Sequence, residues 1–377
     1  MALLLVAALL VACDSGTLPQ QTEGDEARVG FVFAMSGDSA AVGGEQDAAA
    51  RMAVDEINAG EKEPKLTPIF RPTDGSVAEA VAAYRKLIND DKVHIIIGPT
   101  TSVEARSADE EAQRVKVPVL AVSNTAGGLI DIGDYIFRVS MPEAQLIPVT
   151  VAAAKDKLDV AEVCLLYTAD DAFSRAEADV FRAALESSGV KVLGEMTFTS
   201  GETDFKPQLN ACKALKPDAI VVSALAGPAR LILEQARKEV GIGPEVYVIG
   251  GYGFTAPEVV ADPGSAEGLV VGAAWSPALD NILNKDFVEA YTKRTGKAPS
   301  QIAAQTYAGV HIAYDAAKRA GIKGKTLVDA RTAVRDSLKS TGNLPTILGN
   351  FSFNDRRDAK YEPVVQIFHN GKFEEVK

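Results

Sequence analysis

The chain has 377 residues, which at about 150 residues per domain is too long for one compact domain. Acidic residues outnumber basic ones by 51 to 39, and the net charge of −12 argues against binding to the phosphates of nucleic acid. The 3 cysteines exclude a disulfide-rich scaffold and a four-cysteine zinc site, and the 3 widely spaced histidines argue against a histidine-based metal centre.

An uncharged apolar run opens the chain, from residue 2 to residue 12. As a helix it would rise about 16 Å, too short for a bilayer core of about 30 Å, but it fits the apolar region of a signal peptide. Leu10-Val11-Ala12-Cys13 resembles the lipobox of bacterial lipoproteins, in which the cysteine is lipidated. We therefore predict a signal peptide over 1–13 with a lipid on Cys13, and a polar, flexible tether over 14–27. The alternative is a frayed terminus or part of a core helix.

From Arg28 onward, short apolar runs alternate with amphipathic helical stretches, which predicts parallel sheets with helices on both faces. A first unit of strands and helices is predicted at 29–35, 43–58, 66–70, 77–89, 93–97, 102–115 and 117–122. The pattern then restarts at 143–158, 162–167, 172–188, 191–198, 204–215, 219–223, 228–240 and 246–249. The last part is a strand at 269–274, helices at 282–295, 300–320 and 327–340, and a hairpin joining 361–368 to 373–376 through Asn370-Gly371. The fold class is α/β, with two doubly wound units.

Hydroxyl-bearing loops follow two strands of the first unit. Gly98-Pro99-Thr100-Thr101-Ser102 opens a predicted helix, and Ser123-Asn124-Thr125 follows the next strand. Ligands of open α/β sheets bind at the carboxyl ends of strands, so hydroxyl and N–H donors from both loops could converge on one carboxylate. The alternative for each serine and threonine is a helix cap without a ligand.

Several segments in the same order resemble the branched-chain amino-acid type of solute-binding proteins of ABC importers, the type I periplasmic binding proteins. They lie at 29–37, 43–46, 53–58, 96–102, 117–125, 167–173, 250–253 and 303–314. The resemblance implies two lobes in a Venus-flytrap arrangement, joined by three hinge crossovers, with the ligand in the cleft between them. We place the crossovers near Met141, Ala274 and Asn350, which puts lobe I at 28–141 plus 275–349 and lobe II at 142–274 plus 350–377.

The resemblance also implies the ligand contacts. In the family, hydroxyls and N–H groups hold a carboxylate from the loops that match Thr101-Ser102 and Ser123-Asn124-Thr125. An aromatic residue of the second lobe matches Phe173. Family members often hold an ammonium group with an acid in the loop matching 250–253, which here carries Tyr252. A carboxylate-bearing ligand is therefore expected, whereas an α-amino group on it stays open.

Motifs for catalysis and cofactors are missing from the sequence. Gly324-Lys325-Thr326 lacks the upstream glycine of a P-loop, because Arg319 stands there, and no Gly-x-Ser-x-Gly elbow occurs. Asp170-Asp171 follows a predicted strand, which favours a helix N-cap over an acid/base pair. Cys164 and Cys212 are interpreted as buried free thiols, with a disulfide between them as the alternative in an exported protein.

The resulting hypothesis is a lipoprotein at the outer face of the cytoplasmic membrane that serves an ABC importer. It would bind a small carboxylate, an amino acid or a related compound, as a monomer, and deliver it to the permease subunits. We expect no enzymatic activity, cofactor or metal. The alternative is a ligand-sensing or cell-envelope assembly lipoprotein of the same fold, and an α/β enzyme is the third class.

Overall fold

The computed structural model describes residues 22–60 and 63–376, so the predicted signal peptide and Cys13 lie outside the described residues. Its first sheet is parallel, with the strand order β2-β1-β3-β4-β5. The elements of this unit are β1 Glu26–Phe31, α1 Ala40–Ala59, β2 Lys65–Phe70, α2 Val77–Asn89, β3 Ile95–Ile97, α3 Ser102–Arg114, β4 Val119–Ala121 and β5 Ile136–Arg138. Strand β5 was not predicted from the sequence, because its three residues are too short to show a period.

A second sheet follows, with the order β15-β14-β10-β9-β8-β6-β7, in which β14 is Val364–His369 and β15 is Lys372–Glu375. Its elements are α4 Glu143–Leu158, β6 Glu162–Thr168, α5 Ala172–Ser188, β7 Lys191–Phe198, α6 Lys206–Ala214, β8 Ala219–Ser223, α7 Ala226–Lys238, β9 Tyr247–Gly250, α8 Pro263–Ala266 and β10 Leu269–Ala273. The antiparallel strands β14 and β15 come from the C-terminal hairpin. Asn370 and Gly371 both have positive φ, so the predicted Asn-Gly turn is confirmed.

Three long helices and a small sheet stand between β10 and the hairpin. They are α9 Ile282–Thr295, α10 Gln301–Ala320, α11 Leu327–Lys339, β11 Leu344–Thr346, β12 Gly349–Phe353 and β13 Ala359–Lys360. Buried residues of α10 share one apolar core with those of α1 and β1, and Phe351 and Phe353 of β12 belong to the same core. The predicted third crossover near Asn350 therefore falls inside β12, and the chain joins the second sheet only at β14.

A disulfide joins Cys164 on β6 to Cys212 on α6, with an S–S distance of 1.98 Å. The interpretation of these residues as free thiols is therefore wrong. Both side chains are fully buried in one apolar cluster on the same face of the second sheet, and their Cα atoms lie 5.5 Å apart. That separation is within the range that a disulfide spans without backbone movement. Strand and helix are distant in sequence, so periodicity alone did not reveal the contact.

Candidate ligand-binding site

The two hydroxyl-bearing loops lie side by side, because β3 and β4 are neighbours in the first sheet. Gly98 has a φ of +123°, and a Cβ there would lie 2.3 Å from the carbonyl oxygen of Val32. Only glycine fits this close approach, so the loop after β3 is held against the neighbouring backbone. The Thr100 hydroxyl reinforces the contact, since it accepts the Ala34 N–H at 2.9 Å.

Gln46 of α1 connects the two loops through hydrogen bonds to both of them. Its side-chain oxygen accepts the Thr100 hydroxyl at 2.7 Å, and its side-chain nitrogen donates to the Ser123 hydroxyl oxygen at 3.0 Å. Ser123 in turn donates to the Thr100 carbonyl at 2.7 Å, and the Asn124 amide approaches the same carbonyl at 3.4 Å. Gln46 is fully buried. This framework fixes the spacing of the loops before any ligand arrives.

Two of the residues predicted to bind the ligand, Ser123 and Thr101, use their hydroxyl hydrogens for bonds within the protein. The Ser123 hydroxyl hydrogen is bonded to the Thr100 carbonyl. The Thr101 hydroxyl donates to Glu104 Oε2 at 2.8 Å, and the Thr101 N–H donates to the same oxygen at 2.8 Å. Asn124 is fully buried, and its side-chain oxygen has no hydrogen-bond partner among the described residues. Roles for Thr101, Ser123 and Asn124 in ligand binding stay predictions.

Ser102 and Thr125 are partly buried, as Thr101 and Ser123 are, and the Thr125 side chain hydrogen-bonds to Glu143. The Ser102 hydroxyl oxygen accepts the Ala126 N–H at 3.4 Å, which brings the start of α3 next to the loop after β4. Arg138 of β5 donates to the carbonyls of Thr125 and Ala126, both at 2.9 Å, and so fixes the direction of that loop. The N-terminus of α3 adds a favourable field for an anion at this point.

The aromatic residues Phe173 and Tyr252 face each other on the second lobe. Their ring centroids are 6.4 Å apart, with an angle of 72° between the rings. Phe173 lies in the first turn of α5, and Asp171 caps that helix by accepting the Ser174 N–H at 2.8 Å. The predicted N-cap at Asp171 is confirmed. The two rings are each partly exposed, so together they offer an apolar surface to a ligand.

Two glutamates beside these residues were missed by the sequence reasoning. Glu143 is the first residue of α4, and its Oε1 is buried without a hydrogen-bond partner in the described part of the chain. Burial raises the pKa of Glu143, while the helix N–H, the Thr125 side chain and the charge of Arg138 lower it. The available signal was its position, just after the first crossover predicted near Met141.

Glu177 is the second of these acids, one helical turn after Phe173 on α5. It accepts the Ser223 hydroxyl at 2.5 Å and the Tyr252 N–H at 2.7 Å. Burial raises its pKa to about 7, and the charge of Glu143 adds to the rise. A Cβ on Gly251 would lie 2.1 Å from Glu177 Oε2, so the absence of a side chain at 251 makes room for this carboxylate.

The predicted ligand-binding residues lie on loops of both sheets, and their meeting at one ligand stays a prediction. Ser102 and Thr125 follow strands of the first sheet, where Thr125 bonds to Glu143, and Phe173 and Tyr252 follow strands of the second, where Glu177 accepts the Tyr252 N–H. No group of three or more His, Cys, Asp or Glu side chains suited to a metal ion occurs within 22–60 and 63–376. In the same residues, no helix is long and apolar enough to cross a membrane. The two sheets, each covered by helices, define a two-lobed α/β protein.

Comparison with known proteins agrees with this class. The family model described as periplasmic binding protein matches residues 26–368, and the chain therefore belongs to that family. Membership implies export and a solute-binding role, and the expected family and the type I fold are confirmed. The Leu/Ile/Val-binding protein BraC3 of Rhizobium johnstonii is 23% identical over 333 residues, which cover 88% of each chain.

Solved structures give the same result. The branched-chain amino-acid transporter substrate-binding protein LivJ of Streptococcus pneumoniae, in complex with isoleucine, is 28% identical with a TM-score of 0.77, over 93% of this chain and 98% of that one. A solute-binding protein of Rhodopseudomonas palustris in complex with 3,4-dihydroxybenzoic acid is 22% identical with a TM-score of 0.74. It covers 93% of this chain and 96% of its own, and this likeness concerns the fold alone.

Proposed function

We propose that the protein is the solute-binding component of an ABC importer and binds a small carboxylate in the cleft between its lobes. The observation that carries the proposal is the contact of Ser102 with the loop of Thr125, which places a partly exposed serine of a helix N-terminus beside a second hydroxyl-bearing loop. Hydroxyl and N–H donors at such a terminus suit a carboxylate better than a neutral group. The relatives named for leucine, isoleucine and valine support the same class of ligand.

Ligand binding would be coupled to closure of the two lobes, because the proposed ligand contacts come from both lobes. Ser102 and Thr125 belong to the first sheet's loops, whereas Phe173 and Tyr252 belong to the second lobe, so a ligand that touches both walls stabilises the closed form. A ligand shifts such an equilibrium only by its different affinity for the two forms. The permease would then recognise the closed form and receive the ligand.

A thermal-shift screen of amino acids, small carboxylates and neutral amides and sugars tests the ligand class. A ligand at about 100 times its Kd stabilises the native state by about 2.7 kcal/mol, which shifts the melting temperature by several degrees. We expect carboxylates to give the largest shifts. If only neutral amides or sugars stabilise the protein, the assignment of Ser102 and Thr125 to a carboxylate is wrong.

The lipid anchor and the transport role need separate experiments. We propose that Cys13 carries the lipid, so labelled palmitate should enter the wild-type protein and not the Cys13→Ala variant.

Deleting the gene should abolish uptake of the ligand by cells. A ligand that binds while uptake persists would instead favour the ligand-sensing or assembly role. Size-exclusion chromatography with light scattering should show a monomer.

A further inference from the structure

A cavity of about 580 Å³ opens on the first lobe, outside the candidate site. Helices α9 and α10 line it, together with Glu56 of α1 and residues 344–347. Gln46, which connects the two hydroxyl-bearing loops, stands ten residues before Glu56 on α1 and therefore about 15 Å from it along the helix. The volume is within the range of about 300–1,000 Å³ that small-molecule sites have.

Aromatic and apolar side chains form much of the cavity lining. The ring of Tyr307 has its centroid 4.7 Å from that of Phe287 and 4.6 Å from that of His311. Leu283 also lines the cavity, and it is 42% exposed although its side chain is apolar. An aromatic or aliphatic group of a ligand would pack against these side chains and remove apolar surface from water.

The charged residues that line the cavity are Glu56, Asp286, Asp315 and Lys318. Asp315 is bonded to Arg319 at 2.8 Å. In the described part of the chain, neither Glu56 nor Asp286 forms an ion pair, and Glu56 accepts the Tyr307 hydroxyl. Lys318 follows Tyr307 by eleven residues on α10, about 16 Å along the helix, so it does not neutralise these two acids. The end of the cavity at Tyr307 is therefore negatively charged.

A hydroxyl without a partner lies further along the same helix. Tyr314 lines the cavity and is 7% exposed, and its hydroxyl is buried with no hydrogen-bond partner among the described residues. A buried polar group of this kind is stabilised by any ligand atom that bonds to it. Tyr314 follows Tyr307 by seven residues, which places it about 10 Å further along α10.

We propose that this cavity binds a small organic amine, as a second ligand site separate from the cleft. The protonated amine would lie at Glu56 and Asp286, where charge-assisted hydrogen bonds and the faces of the aromatic rings both favour a cation. The apolar body of the ligand would pack on Phe287 and Tyr307. A polar group at its other end would bond to the Tyr314 hydroxyl.

The test uses isothermal titration calorimetry on the full chain with three related compounds. Tyramine carries a phenol and an amine, tyrosol has a hydroxyl in place of the amine, and 2-phenylethylamine lacks the phenol hydroxyl. None of them has a carboxylate, so the proposed carboxylate site does not account for their binding. We expect tyramine to bind at least about fivefold more tightly than tyrosol and about threefold more tightly than 2-phenylethylamine. The advantage over tyrosol should shrink as NaCl rises from about 50 mM to about 500 mM.

Variants locate the binding site. In the double variant Glu56→Gln with Asp286→Asn, tyramine should bind no more tightly than tyrosol, while glutamine still offers an oxygen to the Tyr307 hydroxyl. Tyr314→Phe should remove the preference for tyramine over 2-phenylethylamine and keep the salt dependence. The salt dependence of the wild-type protein is informative even if the double variant does not fold.

Asp156→Asn with Glu186→Gln is the matched control, because both residues are exposed on helices of the second lobe and the net charge changes equally. It should keep the wild-type order of the three affinities. Circular dichroism checks that every variant folds.

Four results would overturn the proposal. Equal affinities for tyramine and tyrosol in the wild-type protein would show that the cavity does not select a cation. Tyramine affinity that is unchanged in the double variant and in Tyr314→Phe would place the compound elsewhere. Failure of all three compounds to bind would show that the cavity is not an amine site. A dimer in light scattering that excludes tyramine would show that a second copy of the chain covers the cavity.

Discussion

Thr101 and Glu104 bond to each other at the start of α3 through a reciprocal pair of contacts. Glu104 accepts the Thr101 N–H and hydroxyl, both at 2.8 Å, and its own N–H donates to Thr101 Oγ1 at 3.2 Å. Glu104 is fully buried. This capping box satisfies the first turn of the helix from within the protein. It also uses the donors with which Thr101 would otherwise approach a ligand.

Thr101→Ala should therefore affect stability more than binding. Loss of the N-cap side chain should lower the free energy of unfolding by about 1 kcal/mol, which urea denaturation measures. The Kd of the ligand should change by less than about twofold, since an N-cap bond is not a ligand bond. A large loss of affinity at unchanged stability would instead support a direct contact between Thr101 and the ligand.

Ser102→Ala and Thr125→Ala should each weaken ligand binding. Each variant would lose the proposed hydrogen bond to the carboxylate, which corresponds to about 1–3 kcal/mol or about 5- to 150-fold in Kd. Titration calorimetry measures the change, and circular dichroism checks that both variants fold. Thr292→Ala serves as the control, because Thr292 is an exposed position of α9. Unchanged affinity in both site variants would remove the proposed carboxylate site.

Loss of the disulfide should destabilise the second lobe without changing the site. The bond joins residues 48 positions apart, and closing a loop of that size contributes about 4 kcal/mol in the chain-entropy account. A double variant, Cys164→Ala with Cys212→Ala, should unfold at lower urea concentration than the wild type. Dithiothreitol should lower the wild-type midpoint and leave that of the double variant unchanged. Equal stability of all samples would contradict a stabilising disulfide.

Asp109 should make stability fall as the pH rises. It is fully buried and accepts the Tyr84 hydroxyl at 3.1 Å, and burial raises its pKa to about 8 from an ordinary value of 3.8. Between these two values the folded protein holds a proton that the unfolded chain has lost. The free energy of unfolding must therefore decrease from about pH 4 to about pH 8 and be independent of this group above that range.

Asp109→Asn imitates the protonated form and isolates this effect. The difference in unfolding free energy, variant minus wild type, should increase steadily from pH 4 to pH 8 in urea titrations. Asp134→Asn is a suitable comparison, because Asp134 is exposed and its pKa is lowered below 3.8, so its difference should stay constant from pH 4 to pH 8. A difference for Asp109→Asn that does not vary with pH would show that the carboxylate is ionised in the folded protein.

Much of the fold was predictable from local pattern. The predicted bounds of α2, α4, α5, β7 and β8 agree with the structure. The apolar pattern of a helix or a strand involves residues close together in the chain, so it can be recognised without knowledge of distant contacts. The short strands β5, β11, β12 and β13 were not predicted. Each has two to five residues and forms only because a distant partner is present, as when β12 pairs with β11 and β13. Their pairing is a tertiary property.

The candidate site, like the fold, was only partly predictable from the sequence. The sequence by itself determined the α/β class and the presence of hydroxyl-bearing loops after two strands, because both follow from residue order. Only the tertiary structure decided that Ser123 donates to Thr100, that Cys164 meets Cys212 and that Glu177 lies against Gly251. It also left Glu143 Oε1 buried beside Thr125 without a donor among the described residues. Which polar atoms remain for a ligand depends on neighbours far away in the chain, and only folding brings those neighbours together.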